Sequence, residues 1–341
     1  EIYTLSLHDA LPISKTINAW LITQERETTK AQYLELDGYK YLDNEVIVEI
    51  KNSAINYKDA LALTGTARII RNFPLIPGID FSGVVIKSKG KYIKEGDKVF
   101  TTGWGLGELY HGGLSSHCSF EEKKLIKIPD HYTYDNVMGL GTAGLTAGLA
   151  VKSIIENNIT PCGGKILVTG PSGAVGGIAV KLLLKYGYEV SVVTSRKQEN
   201  RSYLEEFGSI EILDAQDFMN KPKMLSKELW AGAVDVVGGN ILENIITQTK
   251  RAGVVSVCGQ VLGLNLNSNV APFILRGIKL IGIDSSFCPE KKRRDVWDKL
   301  FDLIDARDIL QFTDKIPITD ALNRAELMIA GRNRKRIILE N

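Results

Sequence analysis

The sequence has few cysteines, which limits covalent cross-linking and zinc binding by thiolates. Only four occur in 341 residues, and no two of them form a C-x-x-C pair. They are Cys118, Cys162, Cys258 and Cys288. Cysteines this far apart argue against a disulfide framework and against a thiolate zinc cluster. We therefore expect a protein of a reducing compartment, with the cytoplasm as the default location.

An excess of charge of one sign is also missing. Lys and Arg number 42 against 40 Asp and Glu, the formal net charge is +2, and 44% of the residues are hydrophobic. This balance is typical of a packed protein and does not favour binding of nucleic acid through bulk charge. No apolar run approaches the ~18–20 residues that a membrane-spanning helix requires. We expect neither nucleic acid nor a membrane as a partner.

The length and the local patterns predict two domains, since an ordinary domain has about 100–200 residues. Residues 1–14 show no clear period and resemble the translated read-through of a sequencing adaptor, so we expect a non-native extension there. Up to about residue 130 short strands alternate with Gly and Pro, whereas from Gly139 helices and strands alternate. Six apolar runs in this second part predict a doubly wound parallel sheet. They cover residues 165–169, 189–194, 210–213, 234–237, 254–257 and 280–283.

A glycine-rich turn follows the first of these runs. Residues 170–176 read GPSGAVG, with the spacing G-x-x-G-x-x-G between a predicted strand and a predicted helix. There Gly173 lets the backbone approach a pyrophosphate, and Gly176 lets the helix pack close to its strand. A tight structural turn is the alternative. We predict dinucleotide binding by Gly170, Ser172, Gly173, Ala174, Val175 and Gly176.

The end of the second predicted strand indicates which dinucleotide binds. An NAD-binding sheet places an acidic residue there, about 20 residues after the glycines. This chain instead has two hydroxyls and two cations, Thr194, Ser195, Arg196 and Lys197, which suit a 2′-phosphate. We predict NADP(H) as the cofactor, with contacts from Thr194, Ser195 and Arg196. A solvated loop is the alternative for the two cations.

Several segments together carry a resemblance to a known family. Besides the glycine-rich turn they are NYKD at 56–59, PGIDFSG at 77–83, GGL at 112–114 and GTAG at 141–144, in matching order and spacing. The chain resembles the medium-chain dehydrogenase/reductase superfamily over about residues 16–341. The longer blocks 56–83, 102–105 and 271–276 look like its YhdH/YhfP-type quinone-oxidoreductase-like branch, whose characterised members include acrylyl-CoA reductase.

The resemblance implies a domain organisation and a quaternary state. A mostly β, GroES-like catalytic domain would be built from residues 15–139 and 290–341, around a Rossmann-type NADP-binding domain of residues 140–289. The protein would form a homodimer.

The resemblance also implies a reaction. Zinc-dependent relatives carry Cys where Asn56 stands and His where Ile79 stands, and neither Asn nor Ile is a zinc ligand. We therefore expect a zinc-independent enzyme without a metal, in which hydride from NADPH adds to the β-carbon of an enoyl thioester, acrylyl-CoA giving propionyl-CoA. An NADPH:quinone or enone oxidoreductase is the alternative. A non-catalytic NADPH-binding protein is an alternative of another class.

Single residues follow from the resemblance and from the strand ends. The family places the position of Tyr57 at the nicotinamide, where a phenol can donate a hydrogen bond to the cofactor or to the developing enolate, so Tyr57 is the catalytic candidate. Thr146 and Arg336 are further implied cofactor contacts, with helix packing and a surface charge as their alternatives. Gly259 and Ser285 follow the fifth and sixth strands, where ligands gather in such sheets.

Four features have a less specific interpretation. Lys58 and Asp59 are expected to form surface ion pairs or to orient their segment. The loop 103–107 is either a mobile wall over the substrate or an ordinary glycine-rich loop with a packed indole. The run KKRR at 291–294 predicts a solvated helix face, with coenzyme A phosphates as the alternative ligand. Glu211 stands where related reductases can place a basic residue near the cofactor phosphate.

Overall fold

The computed structural model describes residues 16–310 and 312–341. The predicted non-native extension, residues 1–14, lies outside the described residues. Two compact units are present: the first runs up to Gly141 and also includes residues 314–333 and 337–341, and the second comprises residues 142–313 and 334–336. Residues 290–313 therefore group with the central unit, whereas the predicted boundary after residue 289 assigned them to the catalytic domain.

Loops and short helices of the 3-10 type connect the helices and strands along the described residues, and the longer loops cover residues 65–79, 103–116 and 258–270. The elements are β1 (Thr16–Glu25), β2 (Thr28–Asp37), α1 (Gly38–Tyr41), β3 (Val46–Ile55), α2 (Tyr57–Thr64), β4 (Asp80–Ser88), β5 (Lys98–Thr102), β6 (His117–Phe120), β7 (Ile126–Lys127), α3 (Tyr134–Glu156), β8 (Ile166–Thr169), α4 (Ala174–Lys185), β9 (Val190–Thr194), α5 (Lys197–Glu205), β10 (Ile210–Asp214), β11 (Trp230–Asp235), α6 (Gly239–Gln248), β12 (Thr249–Val257), α7 (Ala271–Arg276), β13 (Lys279–Gly282), α8 (Glu290–Leu303), α9 (Ala306–Leu310), β14 (Thr313–Pro317), α10 (Ala321–Ile329) and β15 (Arg336–Glu340).

The first unit is built on a sheet that combines strands β3 to β7 with β14 and β15 from the C-terminal part of the chain. Its strand order is β14-β15-β3-β4-β5-β7, with β6 paired to β3 as well, and β1 and β2 form a separate hairpin. Along β3 the side chains of Val46, Val48 and Ile50 lie on one face and enter a core with Phe81 and Val99. Helix α2 starts directly after β3 ends, so the NYKD segment stands at the carboxyl end of a central strand.

The second unit is a parallel sheet in the order β10-β9-β8-β11-β12-β13. Numbered within the sheet this is 3-2-1-4-5-6, the order of the Rossmann fold, so the predicted fold class is confirmed. The fourth strand begins at Trp230 rather than at residue 234. The prediction started too late because the first residues of this strand alternate less clearly in the sequence. The strand order reverses between β8 and β11, and ligands of such sheets bind at the carboxyl ends of the strands there.

Helix α3 corrects the expectation about long apolar runs. Within the described residues it is one helix that is long and apolar enough to cross a membrane by length and composition, and 83% of its most apolar window is buried inside the protein. A buried core helix of a soluble protein has the same length and composition. The backbone leaves helical geometry at Gly141 (φ 49°, ψ −151°), so α3 consists of two helical segments. We interpret it as a core helix.

Candidate functional site

The glycine-rich turn joins β8 to α4, and its three glycines differ in whether the packing around them leaves room for a side chain. Gly170 has φ +58°, and a Cβ there would lie 2.7 Å from Val236 Cγ2. A Cβ on Gly176 would lie 2.3 Å from the carbonyl oxygen of Gly170. A Cβ on Gly173 would meet only that same oxygen at 3.4 Å, an ordinary contact. The packing of the protein therefore requires glycine at 170 and 176, while the space above Gly173 is open to a ligand.

The start of α4 presents hydrogen-bond donors to that open space. Gly173 is the N-cap residue and has no side chain with which to cap the helix. The first bond into the helix runs from Gly177 N to Gly173 O (2.9 Å), so the N–H groups of Ala174, Val175 and Gly176 precede it. Ser172 is half-buried beside them. This arrangement fits a pyrophosphate, since free N–H groups and the helix dipole both favour an anion.

A buried carboxylate, which the sequence analysis missed, braces the turn from below. Thr169 Oγ1 donates to Asp235 Oδ1 (2.8 Å) and accepts from Val236 N (2.9 Å). Asp235 Oδ2 accepts from Gly238 N (2.8 Å), and the residue has no exposed surface. Burial raises the pKa of Asp235, although these hydrogen bonds counteract the shift. The carboxylate ties together the ends of β8 and β11, the two strands at which the sheet order reverses. An acid that ends an apolar strand is the signal in the sequence.

The end of β9 has the hydroxyls and the cation that were predicted for a 2′-phosphate. Thr194 is 6% exposed, Ser195 is exposed, and Arg196 is the N-cap residue of α5. Thr194 Oγ1 accepts hydrogen bonds from Arg196 N (3.3 Å) and from Asn200 Nδ2 (3.4 Å). The guanidinium of Arg196 enters none of the salt bridges found among the described residues. The residues present therefore fit a phosphorylated ribose.

Glu211 lies away from this edge. It pairs in register with Ser191 near the start of β9, whereas Asp214 pairs with Thr194 at the carboxyl end. Its carboxylate accepts from Ser191 Oγ (2.7 Å) and from Lys165 Nζ (3.0 Å). The hydrogen bonds from Ser191 and Lys165 lower the pKa of Glu211. The negative charge that stood against NADP binding in the sequence thus lies at the opposite edge of the sheet, where it pairs with Lys165.

Two other predicted cofactor contacts meet in the second unit. Thr146 Oγ1 lies 2.8 Å from Ser285 Oγ and 2.7 Å from the carbonyl oxygen of Thr142. The loop that carries Ser285 is held by Arg293, whose Nη2 donates to the carbonyl oxygens of Ser285 (2.8 Å) and Ser286 (3.1 Å). Arg293 is only 1% exposed, so the expectation of a solvated KKRR face is wrong at this residue.

Gly259 and Arg336 complete the predicted contacts of this unit. A Cβ on Gly259 would lie 1.8 Å from the carbonyl oxygen of Val236, so close packing of the loops after β11 and β12 requires glycine there. Arg336 is 4% exposed, and its backbone N–H donates to the carbonyl oxygen of Phe312 (3.0 Å). The alternative of a surface charge at Arg336 is therefore wrong.

In the first unit the NYKD segment holds a cluster of two buried carboxyl groups. The Asn56 side chain Nδ2 donates to Asp80 Oδ2 (2.8 Å) and to Asp59 Oδ2 (3.1 Å). Backbone N–H groups of Asn56 and Ile79 donate to Asp59 at 2.8 and 3.0 Å. Asp59 is 2% exposed and Asp80 is fully buried, so the expected surface ion pair of Asp59 is wrong. Asp80 was missed, although it lies within the PGIDFSG block.

The electrostatics of this cluster are unusual for an aspartate. Burial, and then the nearby Asp80 carboxyl, raise the pKa of Asp59 to about 7 against the opposing effect of the donated hydrogen bonds. Two carboxyls that share one buried site cannot both ionise easily. Asp59 is thus partly protonated near neutral pH.

Tyr57 is the first residue of α2 and directly follows Asn56 of this cluster. Asn56 caps the helix together with Asp59 in a capping box. Tyr57 is 39% exposed, in contrast to the buried aspartates of the cluster. Its neighbour Lys58 pairs with Glu108 at 2.6 Å, as expected for a partly exposed ion pair. The backbone at Tyr57 is therefore fixed by the capping box, while the residue itself is partly exposed.

The loop 103–107 has a packed indole. Trp104 adopts φ 58°, which is rare for a residue with a side chain, and its ring packs against the core around Val48 and Phe81. The loop is fixed by a hydrogen bond from Gly103 N to the carbonyl oxygen of Ile79 (2.9 Å). These contacts support the interpretation of an ordinary glycine-rich loop.

The comparisons with known proteins agree with the fold of both units. Residues 42–130 match the family model described as "Alcohol dehydrogenase GroES-like domain", and residues 174–306 match "Zinc-binding dehydrogenase". Among the residues that the structure describes, no group of three or more His, Cys, Asp or Glu side chains is arranged to hold a metal ion.

Three relatives match nearly the whole chain. The chain is 37% identical to the "Probable acrylyl-CoA reductase AcuI" of Escherichia coli, over 95% of this chain and 99% of that one. It is 35% identical to the "Putative quinone oxidoreductase YhfP" of Bacillus subtilis, over 98% and 99%. The YhdH oxidoreductase from Salmonella enterica in complex with NADP is 37% identical and aligns with a TM-score of 0.91, over 95% and 99%. The structure of YhfP with NAD bound also aligns with a TM-score of 0.91, at 34% identity over 96% and 100%.

Proposed function

This chain belongs to the medium-chain dehydrogenase/reductase superfamily, and we propose that it is an NADPH-dependent reductase of α,β-unsaturated thioesters that converts acrylyl-CoA to propionyl-CoA. That it is an oxidoreductase which uses NADP(H) agrees with the named relatives and the NADP complex. The similarity to the acrylyl-CoA reductase of Escherichia coli supports the finer proposal. Asn56 is the observation that supports zinc-independent reduction of a conjugated acceptor. It stands where zinc-dependent members have a Cys ligand, and its amide nitrogen is engaged as a donor to two carboxyl groups, so the substrate must already be activated by conjugation.

We propose that the second unit holds the cofactor through two sets of contacts. One set binds the pyrophosphate with backbone N–H groups and the Ser172 hydroxyl at residues 170–176. The other binds the 2′-phosphate with Thr194, Ser195 and Arg196. Thr146, Gly259, Ser285 and Arg336 are further proposed contacts. The support is the open space above Gly173 and the absence of an acid at the end of β9.

A nicotinamide held by these residues would supply a hydride to the β-carbon of the substrate, and a proton from solvent would then have to reach the α-carbon to complete the reduction. We propose that Tyr57 contacts the nicotinamide and donates its phenolic hydrogen bond to the thioester oxygen, on which negative charge collects during the transfer. The Asn56 amide and the Asp59 and Asp80 carboxyls fix the first turn of α2, and thereby the direction of that phenol. We propose zinc-independent catalysis, since Asn56 and Ile79 supply no ligand.

An assay of NADPH oxidation with three substrates tests the proposal. Acrylyl-CoA, crotonyl-CoA and a simple quinone are compared in parallel at the nicotinamide absorbance, with NADH as the cofactor control. Turnover of acrylyl-CoA well above the quinone, inhibited by free coenzyme A, supports the thioester reductase. Turnover of the quinone alone supports the second candidate, an NADPH:quinone oxidoreductase, which the similarity to YhfP favours. NADPH binding with no turnover of any of the three substrates supports a different substrate or a non-catalytic NADPH-binding protein.

We propose a cytoplasmic homodimer, and the second unit has a surface that suits a second copy. Strand β13 lies at the end of the sheet order, so one of its edges is unpaired within the sheet. Apolar side chains of the preceding segment are well exposed, among them Leu264 (82%), Val270 (68%) and Ile274 (73%). Apolar surface of this kind commonly marks a protein interface. Sedimentation of the protein and of Ile274→Asp tests this, with monomers expected for the variant.

A further inference from the structure

We propose that Asn200 in α5 sets the preference for NADPH over NADH by fixing the Thr194 hydroxyl as a hydrogen-bond donor. The inference rests on the proposed function in one respect, the contact of Thr194 with the 2′-phosphate. Asn200 lies outside the glycine-rich turn and outside the Thr194-Ser195-Arg196 set. It acts through Thr194 and is therefore a positioning residue.

The geometry around Thr194 determines what its hydroxyl can do. A threonine hydroxyl has two lone pairs that accept and one proton that it donates. Arg196 N donates to Oγ1 at 3.3 Å, and Asn200 Nδ2 donates to the same oxygen at 3.4 Å. Both acceptor positions are thus taken from within the protein, and the proton is what the hydroxyl has left to offer. Thr194 is the last residue of β9, at the edge where ligands of this sheet bind.

A hydroxyl restricted to donating discriminates between the two cofactors. A phosphate group at neutral pH mainly accepts hydrogen bonds, and bonds to a charged acceptor are the stronger ones. The ribose 2′-hydroxyl of NADH is both donor and acceptor, so it gains less from a fixed donor. Ser195 and Arg196 follow directly and add a further hydroxyl and a cation. The donor set is therefore matched to the phosphorylated ribose.

Asn200 is buried, but the need to fill space does not explain why the residue is an asparagine. The residue is 1% exposed, and its Oδ1 has no hydrogen-bond partner among the described residues. An unpaired buried acceptor lowers stability, so an apolar side chain would suit the site better if it only filled space. Asn244 in the same unit is different, because its Nδ2 donates to the carbonyl oxygens of Phe218, Asn220 and Asn240 (2.8, 2.8 and 3.1 Å). Asn244 is the matched control for a buried structural asparagine.

The test measures cofactor binding without substrate. NADPH and NADH are titrated against the wild type, Asn200→Leu, Thr194→Val and the double variant, and the Kd values are read from nicotinamide fluorescence. Both replacements keep the branching and the number of heavy atoms of the side chain and remove a polar group. We expect Thr194→Val to weaken NADPH about tenfold, the loss of one bond to a charged acceptor, and Asn200→Leu to weaken it about fivefold, with NADH changed less than about twofold by either. The double variant should be no weaker than Thr194→Val alone, since Asn200 acts through that hydroxyl.

Several outcomes would overturn the inference. If Asn200→Leu weakens the binding of NADPH and NADH equally, Asn200 has only a structural role. If the effects on the NADPH Kd are additive in the double variant, Asn200 does not act through Thr194. Asn244→Leu should lower the melting temperature without changing the ratio of the two Kd values. If Asn200→Leu does not fold, Thr194→Ser and Thr194→Val decide: the serine should keep the NADPH preference and the valine should lose it, and a valine that keeps it refutes the inference.

The proposed function fails separately from this inference. A wild type that selects NADPH but reduces neither acrylyl-CoA nor crotonyl-CoA contradicts the thioester reductase, while the Kd ratios still decide the role of Asn200. A wild type that reduces acrylyl-CoA, with ratios unchanged in every variant, contradicts only the inference. A wild type that binds both cofactors equally contradicts both.

Discussion

The glycine-rich turn of the second unit and the Asn56–Asp59–Asp80 cluster of the first show two ways in which a sequence encodes a site. In the turn, the site is formed by the backbone, and glycines at fixed spacing mark it in the sequence. In the cluster, the effect comes from burial of two carboxyls that are 21 positions apart in the chain, 80 − 59. Spacing rules detect the first kind of site, whereas only the fold brings the second together.

The largest expected effect is at the residue that directly follows Asn56 of the cluster. Tyr57→Phe removes the phenolic donor and keeps the ring, so kcat with acrylyl-CoA should fall about 100-fold, equivalent to roughly 3 kcal/mol for one preorganised donor. The melting temperature and the Kd for NADPH serve as controls and should stay close to those of the wild type. Full activity of Tyr57→Phe would show that the residue has only a packing role. The Asn56–Asp59–Asp80 cluster would then have no known effect on catalysis.

Two glycine variants sharpen the comparison within the turn. Gly176→Ala places a Cβ 2.3 Å from a backbone oxygen, so we expect a loss of about 2–3 kcal/mol in the free energy of unfolding, as for an overpacked core. Gly173→Ala meets only an ordinary contact and should cost less than about 1 kcal/mol.

The effects on NADPH affinity should have the opposite order: the variant with the smaller loss of stability, Gly173→Ala, should be the one that weakens NADPH binding. Gly173→Ala fills the space that we assign to the pyrophosphate, so it should weaken NADPH although the protein remains stable. Urea unfolding and fluorescence titration measure the two quantities. If Gly173→Ala binds NADPH like the wild type, the open space above residue 173 is not the pyrophosphate site.

The next effect concerns the end of β9. Arg196→Ala should weaken NADPH by roughly 1.5–3 kcal/mol, the range for a hydrogen bond to a charged group, and leave NADH nearly unchanged. Arg201→Ala is a suitable control, because this arginine of α5 pairs with Glu205 at 3.1 Å on the exposed face. Equal losses for the two cofactors would contradict the assignment of the 2′-phosphate to this strand end.

The same contrast explains how far the sequence could be interpreted. The six parallel strands and α4 were predictable because apolar runs and glycines repeat at spacings that local geometry imposes. The roles of Asp235 and Asp80 were not, because a single acid at one end of an apolar strand shows only its own position, and the partners Thr169 and Asn56 are 66 and 24 positions away. Glu211 misled for the same reason, since only the register with Ser191 shows at which edge of the sheet it lies.

The most gradual effect is a pH dependence of stability, which tests the cluster directly. The pKa of Asp59 is about 7 in the folded protein, against an ordinary value of 3.8. Between these values the folded protein binds a proton that the unfolded chain does not, so this group makes stability fall as pH rises through the window and adds no further slope above it. One proton contributes at most about 1.4 kcal/mol per pH unit.

Asp59→Asn should therefore flatten the stability profile between pH 5 and pH 7. Urea unfolding at pH 5, 6, 7 and 8 measures the slope for both proteins. Asp135→Asn is the control of opposite sign: burial alone would raise the pKa of Asp135, but the hydrogen bond from Lys315 lowers it, so its contribution is lost only in acid below this range. If wild type and Asp59→Asn have the same slope between pH 5 and pH 7, Asp59 is ionised throughout. The two carboxyls would then be a structural brace for α2, as Asp235 is for the glycine-rich turn, and the difference between the two regions would lie only in how easily each is found in the sequence.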